Sequence, residues 1–108
     1  TAAEQLIQQG VTAIFAMNDI MAGGVYDYVN EKGLKIGTDL SVIGFDNREI
    51  SEAFYPTLST VALPLSYMGN IAAELLTMKL ENQAGEAEKR EYKIPCQVIY
   101  RNSICRIQ

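Results

Sequence analysis

At 108 residues the chain has the length of one small domain or a piece of one, and 48% hydrophobic with 20% charged residues sets it apart from disordered, collagen-like or disulfide-scaffold compositions. Nine Lys and Arg against thirteen Asp and Glu leave a net charge of −4, which argues against gripping a phosphate backbone, because non-specific nucleic-acid affinity comes from clustered basic residues. There is no histidine to act as a neutral-pH base or complete a zinc site, and Cys96 and Cys105 lie nine positions apart without CxxC pairing, so both are read as reduced thiols, with no metal and no cofactor.

The opening TAAEQLIQQG reads as the last turns of a helix closed by Gly10, since glycine tolerates the left-handed conformation that ends helices. Because Thr1 already stands in a helix-like pattern, the natural N-terminus is expected upstream. VTAIFAM, 11–17, is nearly continuously apolar rather than alternating. That predicts a strand covered on both faces by helices, and hence a parallel sheet. Asn18 or Asp19 can cap a helix over 19–32, with Met21, Val25, Tyr28 and Val29 at helical spacing and Gly33 marking its end. Its Gly23-Gly24 pair lies inside the helical pattern, which suits close packing better than phosphate binding.

A second unit repeats the pattern. LSVIGF, 40–45, reads as a short buried strand, and Asp46 or Asn47 can cap a short helix REISEAF stopped at Tyr55-Pro56. Gly44 inside that strand marks a close approach of backbone. TLSTVAL, 57–63, is the third strand candidate. From Pro64 a longer helix follows, with Leu65, Met68, Ala72, Leu75, Leu76 and Leu80 on one apolar face. The charge-rich stretch 81–91 reads as a helix end and exposed loop, and EYKIPCQVIY as a last strand in which Pro95 favours an edge or a bulge. No apolar stretch approaches the ~20 residues a membrane span needs.

Ligand crevices in open α/β sheets lie beyond the carboxyl ends of the strands. Two polar pairs fall there: Asn18-Asp19 after the first strand and Asp46-Asn47 after the second. With adjacent strands ~4.8 Å apart, these side chains can converge on one small molecule. A carboxylate accepts hydrogen bonds and an amide both donates and accepts, which suits the vicinal hydroxyls of a sugar or the edge of a nucleobase. All four residues are also good N-caps, so capping without ligand contact stands beside that reading. Catalysis finds little support: no histidine, G-x-S-x-G elbow, Walker loop or metal-ligand cluster accompanies the two aspartates. Arg48, Arg101 and Arg106 are scattered, as on solvated faces or at partner contacts. Tyr26, Phe54 and Tyr55 have the mixed character enriched at protein interfaces, with core packing as the alternative.

TAIFAMNDIMAGGVYDYVNEKGLKIGTDLSVIGFDNREIS resembles the core of LacI/GalR-type regulators, in which a strand ending in ND leads through a helix and loop to a strand ending in GFD. TLSTVALPLSYMGNIAAELL and the ending IPCQVIYRNSI continue the likeness. The resemblance implies a periplasmic-binding-protein-like α/β fold, of which residues 1–108 form the C-terminal part: most of the second lobe and the helix crossing back to the first. It implies a cytoplasmic homodimer that binds a small effector between lobes and reaches DNA only through a domain absent from this chain. Asn18 and Asp46 match positions that contact the effector in that family, whereas Asp19 looks like a cap. Leu63 departs from the pattern, standing where sugar-responsive members are often polar. Either the effector is less polar, or a co-regulator protein helps set the response. Dimer contacts are expected from Met21, Val25, Tyr26, Tyr28, Phe54 and Tyr55. A solute-binding protein of a sugar transporter shares the fold and is the alternative, distinguished by a signal peptide in place of a helix-turn-helix in the full gene.

Overall fold

The computed structural model describes residues 1–81 and 91–107. Its elements run α1 (Ala2–Gln8), β1 (Ala13–Phe15), α2 (Asp19–Glu31), β2 (Ser41–Ile43), α3 (Ile50–Ala53), β3 (Thr60–Ala62), α4 (Leu65–Leu80) and β4 (Gln97–Ile99). They fall into two compact units, Thr1–Ala62 with Gln97–Gln108, and Leu63–Cys96.

In the first unit α1 starts on a capping box, the Thr1 hydroxyl accepting the Glu4 N–H at 3.2 Å, and the turn after it carries Gly10 at φ +78°. Such a φ is open to glycine at no steric cost. β1 pairs with β2 in parallel register, Ala13 to Ser41, Ile14 to Val42 and Phe15 to Ile43. A parallel bridge from Ile43 to Ser59 and the Gly44 N–H to Ser59 C=O bond of 2.9 Å bring the run into β3 alongside β2. The last strand departs from the parallel pattern, since β4 is antiparallel to β3, pairing Thr60 with Ile99 and Ala62 with Gln97. It is also shorter than expected, beginning two residues after Pro95, which has no N–H to donate to a ladder.

Burial along β1 corrects the expectation of cover on both faces. Ile14 and Ala16 are buried, but Phe15 and Met17 are 62% and 76% exposed. One face packs under the helices; no described residue covers the other. The inward face of α2 keeps Val25 and Val29 from the reading, with Tyr28 half-buried against the core, but takes Ala22 and Tyr26 in place of Met21. Ala22, Val25, Tyr26 and Val29 are buried, spaced i, i+3, i+4 and i+7, while Met21 points outward. With Ile36, Leu40, Val42 and Leu58 they form the core.

The tail after β4 is stitched into this unit. Val42 N–H donates to the Ser103 carbonyl at 2.8 Å, and the Ser103 hydroxyl donates to the Val42 carbonyl at 2.6 Å. That hydroxyl also accepts the Ser59 N–H at 2.8 Å. A fully buried serine thus gives β2 and the approach to β3 a shared polar partner where their own pairing stops.

In the second unit Pro64 sits at the N-cap of α4, as its fixed φ allows. The apolar face read from the sequence finds no cover there: no residue of α4 is buried, and Leu65, Leu76 and Leu80 are 66%, 59% and 75% exposed. Of the polar stretch 81–91, residues 82–90 lie outside the described residues. Among the described residues no helix is long and apolar enough to cross a membrane.

Candidate functional site

The ends of β1 and β2 are held side by side past the formal strands. Ala16 N–H donates to the Ile43 carbonyl at 2.8 Å, and Asp19 N–H to the Phe45 carbonyl at 3.0 Å. Asn18 and Asp46 therefore flank one hydrogen bond, each a single peptide unit from it. Asn18 is the N-cap of α2, its Oδ1 accepting the Met21 N–H at 2.8 Å. Its amide NH2 has no hydrogen-bond partner among the described residues, so capping occupies only half of the side chain.

Asp19 is not the cap. It is fully buried in the first turn of α2. Its Oδ2 accepts the Arg48 N–H at 2.7 Å and its Oδ1 accepts the Thr60 hydroxyl at 2.5 Å, while Thr60 Oγ1 accepts the Asn47 N–H at 3.3 Å. A buried carboxylate is tolerated only when its lone pairs are used in this way. The network explains Gly44, because a Cβ there would run into Asp19 Oδ1 and come within 2.9 Å of Leu58 Cδ2.

Asp46 and Asn47 cap nothing either; Glu49 stands at the N-cap of α3 without a side-chain bond. Their backbone is instead turned into the left-handed region, at φ +104° and +54°, which costs a non-glycine residue roughly 1–3 kcal/mol. Three successive N–H groups hold the turn, those of Asp46 on the Val61 carbonyl at 2.9 Å, Asn47 on Thr60 and Arg48 on Asp19. The Asp46 carboxylate itself takes no hydrogen bond among the described residues. An acceptor-only carboxylate and a donor amide NH2 thus sit unpaired at adjacent strand ends, a pair able to hold hydroxyls or ring nitrogens but lacking a nucleophile with its base. Separately, an apolar hollow of about 290 Å³ between α1, β1 and α2 is lined by Leu6, Ile14, Phe15, Met17, Met21 and neighbours, and neither Asn18 nor Asp46 lines it. Among the described residues no group of three or more His, Cys, Asp or Glu is placed to hold a metal ion.

The remaining candidates separate. Leu63 is half-buried in the second unit. Val25 and Tyr26, 6% and 3% exposed, face inward, which removes them from any surface contact. Tyr26 stacks on Phe54 with ring centroids 4.7 Å apart and donates its hydroxyl to the Pro56 carbonyl at 2.7 Å. Burial pushes its phenol up to about 12. Phe54 in turn covers Gly23, where a Cβ would lie 3.3 Å from the ring. Tyr28 is half-buried beside Lys32, Met21 is exposed, and Tyr55 is 94% exposed. Sequence reading missed Thr60 and Ser51 and left Arg101 among scattered basic residues; the contacts of Thr60 with Asp19 and of Arg101 with Ser51 and Asn47 span 41, 50 and 54 positions and leave no spacing signal.

A parallel α/β core with unpaired polar groups gathered beyond its strand ends has the organisation of a ligand-binding lobe, and the model of the periplasmic binding protein-like domain matches residues 1–104. The HTH-type transcriptional repressor PurR of Vibrio atlanticus is 37% identical over 105 residues, covering 95% of this chain and 31% of the repressor. A LacI family transcriptional regulator from Enterococcus faecium, solved with bound ribose, superposes with a TM-score of 0.78 at 31% identity over 98% of this chain and 39% of that one. The lac repressor dimer, bound to operator and the anti-inducer ONPF, gives a TM-score of 0.83 at 28% identity, covering 97% and 36%. The chain belongs to the periplasmic binding protein-like domain family and, within it, to the LacI/GalR type. It spans about a third of the length of these relatives.

Proposed function

We propose that the chain is the effector-sensing and dimerisation segment of a DNA-binding transcriptional regulator, and that Asn18 and Asp46 contact a small polar ligand, such as a sugar or nucleobase, in a cleft completed by the rest of the full-length protein. The observation that carries this reading is the Asp46 carboxylate, unpaired on a left-handed backbone that three hydrogen bonds hold in place beside the free amide of Asn18. Strain kept at a strand end around an unused charged group is a feature of binding sites. Relatives solved with ribose and with ONPF support the ligand class. The role is a binding one, without catalysis, and DNA contact belongs to a domain outside this acidic chain. Leu63 offers no hydrogen bond, which leaves orientation of the ligand to the two strand ends.

Regulation then follows from a population shift: the effector favours one arrangement of the dimer to the extent that it binds the alternatives unequally. In the full-length protein Asp46→Asn, which tolerates the left-handed turn as Asp does, weakens effector binding by about ten- to a hundredfold, the factor for losing a charged hydrogen-bonding partner at ~1.5–3 kcal/mol, without lowering the unfolding midpoint. Titration calorimetry with a panel of sugars and nucleobases measures it. Unchanged affinity removes Asp46 from the site, and equal loss of stability and affinity assigns it to the fold instead.

A further inference from the structure

Arg101 lies just beyond β4, its side chain only 15% exposed. A guanidinium in that setting must place its N–H groups on acceptors. Nη1 donates to Ser51 Oγ and to the Leu58 carbonyl, both at 2.8 Å, and Nη2 to Asn47 Oδ1 at 2.9 Å and Glu52 Oε1 at 3.3 Å. Its own N–H is taken by Ser59 Oγ at 2.8 Å. The Glu52 contact is to a side chain 75% exposed and contributes little. The other contacts meet the turn at Asp46–Arg48 by two routes. One is direct, at Asn47 Oδ1. The second passes through Ser51, whose hydroxyl accepts from Arg101 and donates to the Arg48 carbonyl at 2.6 Å. Asp19 and Thr60 grip the turn by its N–H groups, and Arg101 grips it by a side-chain oxygen and a carbonyl.

We propose that Arg101 is a positioning residue for the effector site: it holds Asn47 and the Arg48 carbonyl so that the left-handed turn persists and the Asp46 carboxylate stays presented beyond β2. The inference rests on the reading of Asp46 as a ligand contact, but its effect on the turn is measurable without any ligand. Two consecutive left-handed residues that are not glycine relax unless the surroundings over-determine them. Lysine at 101 keeps the charge but not the fork that reaches Ser51, Leu58 and Asn47 together.

The test is amide hydrogen exchange, read by NMR on the full-length protein, at Asp46, Asn47 and Arg48, with the amides of Ala22 and Val29 in α2 as reference. Arg101→Lys is expected to speed exchange at the turn about tenfold, the factor for one hydrogen bond to a charged group, and to leave the reference amides unchanged. Asn47→Asp added to Arg101→Lys restores protection, since a carboxylate at 47 re-engages the ammonium; Glu52→Gln alone changes nothing. Unchanged exchange at the turn in Arg101→Lys overturns the proposal. So does faster exchange that spreads to α2 and is not rescued by Asn47→Asp, which makes Arg101 a general fold contact. D-ribose titrated in parallel separates the two readings: a turn loosened by Arg101→Lys in a protein that never binds ribose rejects that effector and keeps the positioning role, whereas ribose bound with equal affinity by wild type and a loosened variant rejects positioning of the site.

Discussion

Asp19 and Gly44 form one unit of meaning although 25 positions separate them. The carboxylate reaches Arg48 N–H and the Thr60 hydroxyl only because residue 44 has no Cβ in its way. Gly44→Ala is therefore expected to lower stability by about 1–3 kcal/mol, the usual range for overpacking a filled site, seen as a shifted urea midpoint; a midpoint equal to wild type means that Asp19 and Leu58 can give way. Tyr26 supplies a second residue-level expectation. Its phenol is raised by burial from 10 to about 12, so on raising the pH the unfolded chain loses its proton first. The stabilisation is complete below pH 10 and is lost as pH climbs toward 12. Tyr26→Phe, which removes both the titration and the Pro56 bond, should unfold with a shallower dependence across that window, and parallel profiles of wild type and variant would contradict the assignment.

Among the elements, the tail at Arg101–Cys105 matters more than its irregular appearance suggests. Ser103 bridges Val42 and Ser59, and Cys105 N–H donates to Ser41 Oγ at 2.9 Å. Ser103→Ala leaves the Ser59 N–H without its acceptor in a buried site, a loss of about 1–3 kcal/mol, with exchange accelerated first at Ser59. Protection at Ser59 equal to wild type would show that the tail is dispensable to the sheet. The entry of Tyr26 into the inward face of α2 has a long-range cause. Tyr26 is recruited inward because Phe54 stacks on it and Pro56 accepts its hydroxyl, and both partners come from beyond β2. Helical spacing alone admits Met21 and Tyr28 to the apolar face as readily.

At the scale of the whole molecule, exposed apolar surface concentrates at Phe15 in β1 and Met17 just beyond it, at the start of α2 at Ile20 and Met21, at Tyr55, and along α4. Surface of this kind is commonly covered by further chain or by a second copy, and dimerisation remains part of the proposed function. Burial decides between two variants that could test it. Phe54→Asp would break the stack on Tyr26 and uncover Gly23, confusing dissociation with unfolding. Tyr55→Asp touches a side chain that is 94% exposed and is expected to turn a dimeric full-length protein monomeric with its unfolding midpoint unchanged, as read by light scattering. A variant that stays dimeric excludes Tyr55 from the interface.

Short-range chemistry is what the amino-acid order determined here. Gly10 closing α1, the polar pairs ending β1 and β2 and the span of α2 all depend on residues within a few positions of one another, so periodicity and turn chemistry reveal them. The ordered motifs also carried the family, which the match over residues 1–104 bears out. The tertiary structure decided what each member of the polar pairs is bonded to: Asn18 caps while Asp19 is buried against Thr60, and Asp46 takes no hydrogen bond among the described residues while Asn47 is held by Arg101. It also decided the antiparallel last strand and the bare face of β1. Contacts such as Thr60 with Asp19 and Arg101 with Asn47 join residues 41 and 54 positions apart. Neither periodicity nor local propensity encodes such a pair, because its energy exists only once the strands between have folded the two residues together.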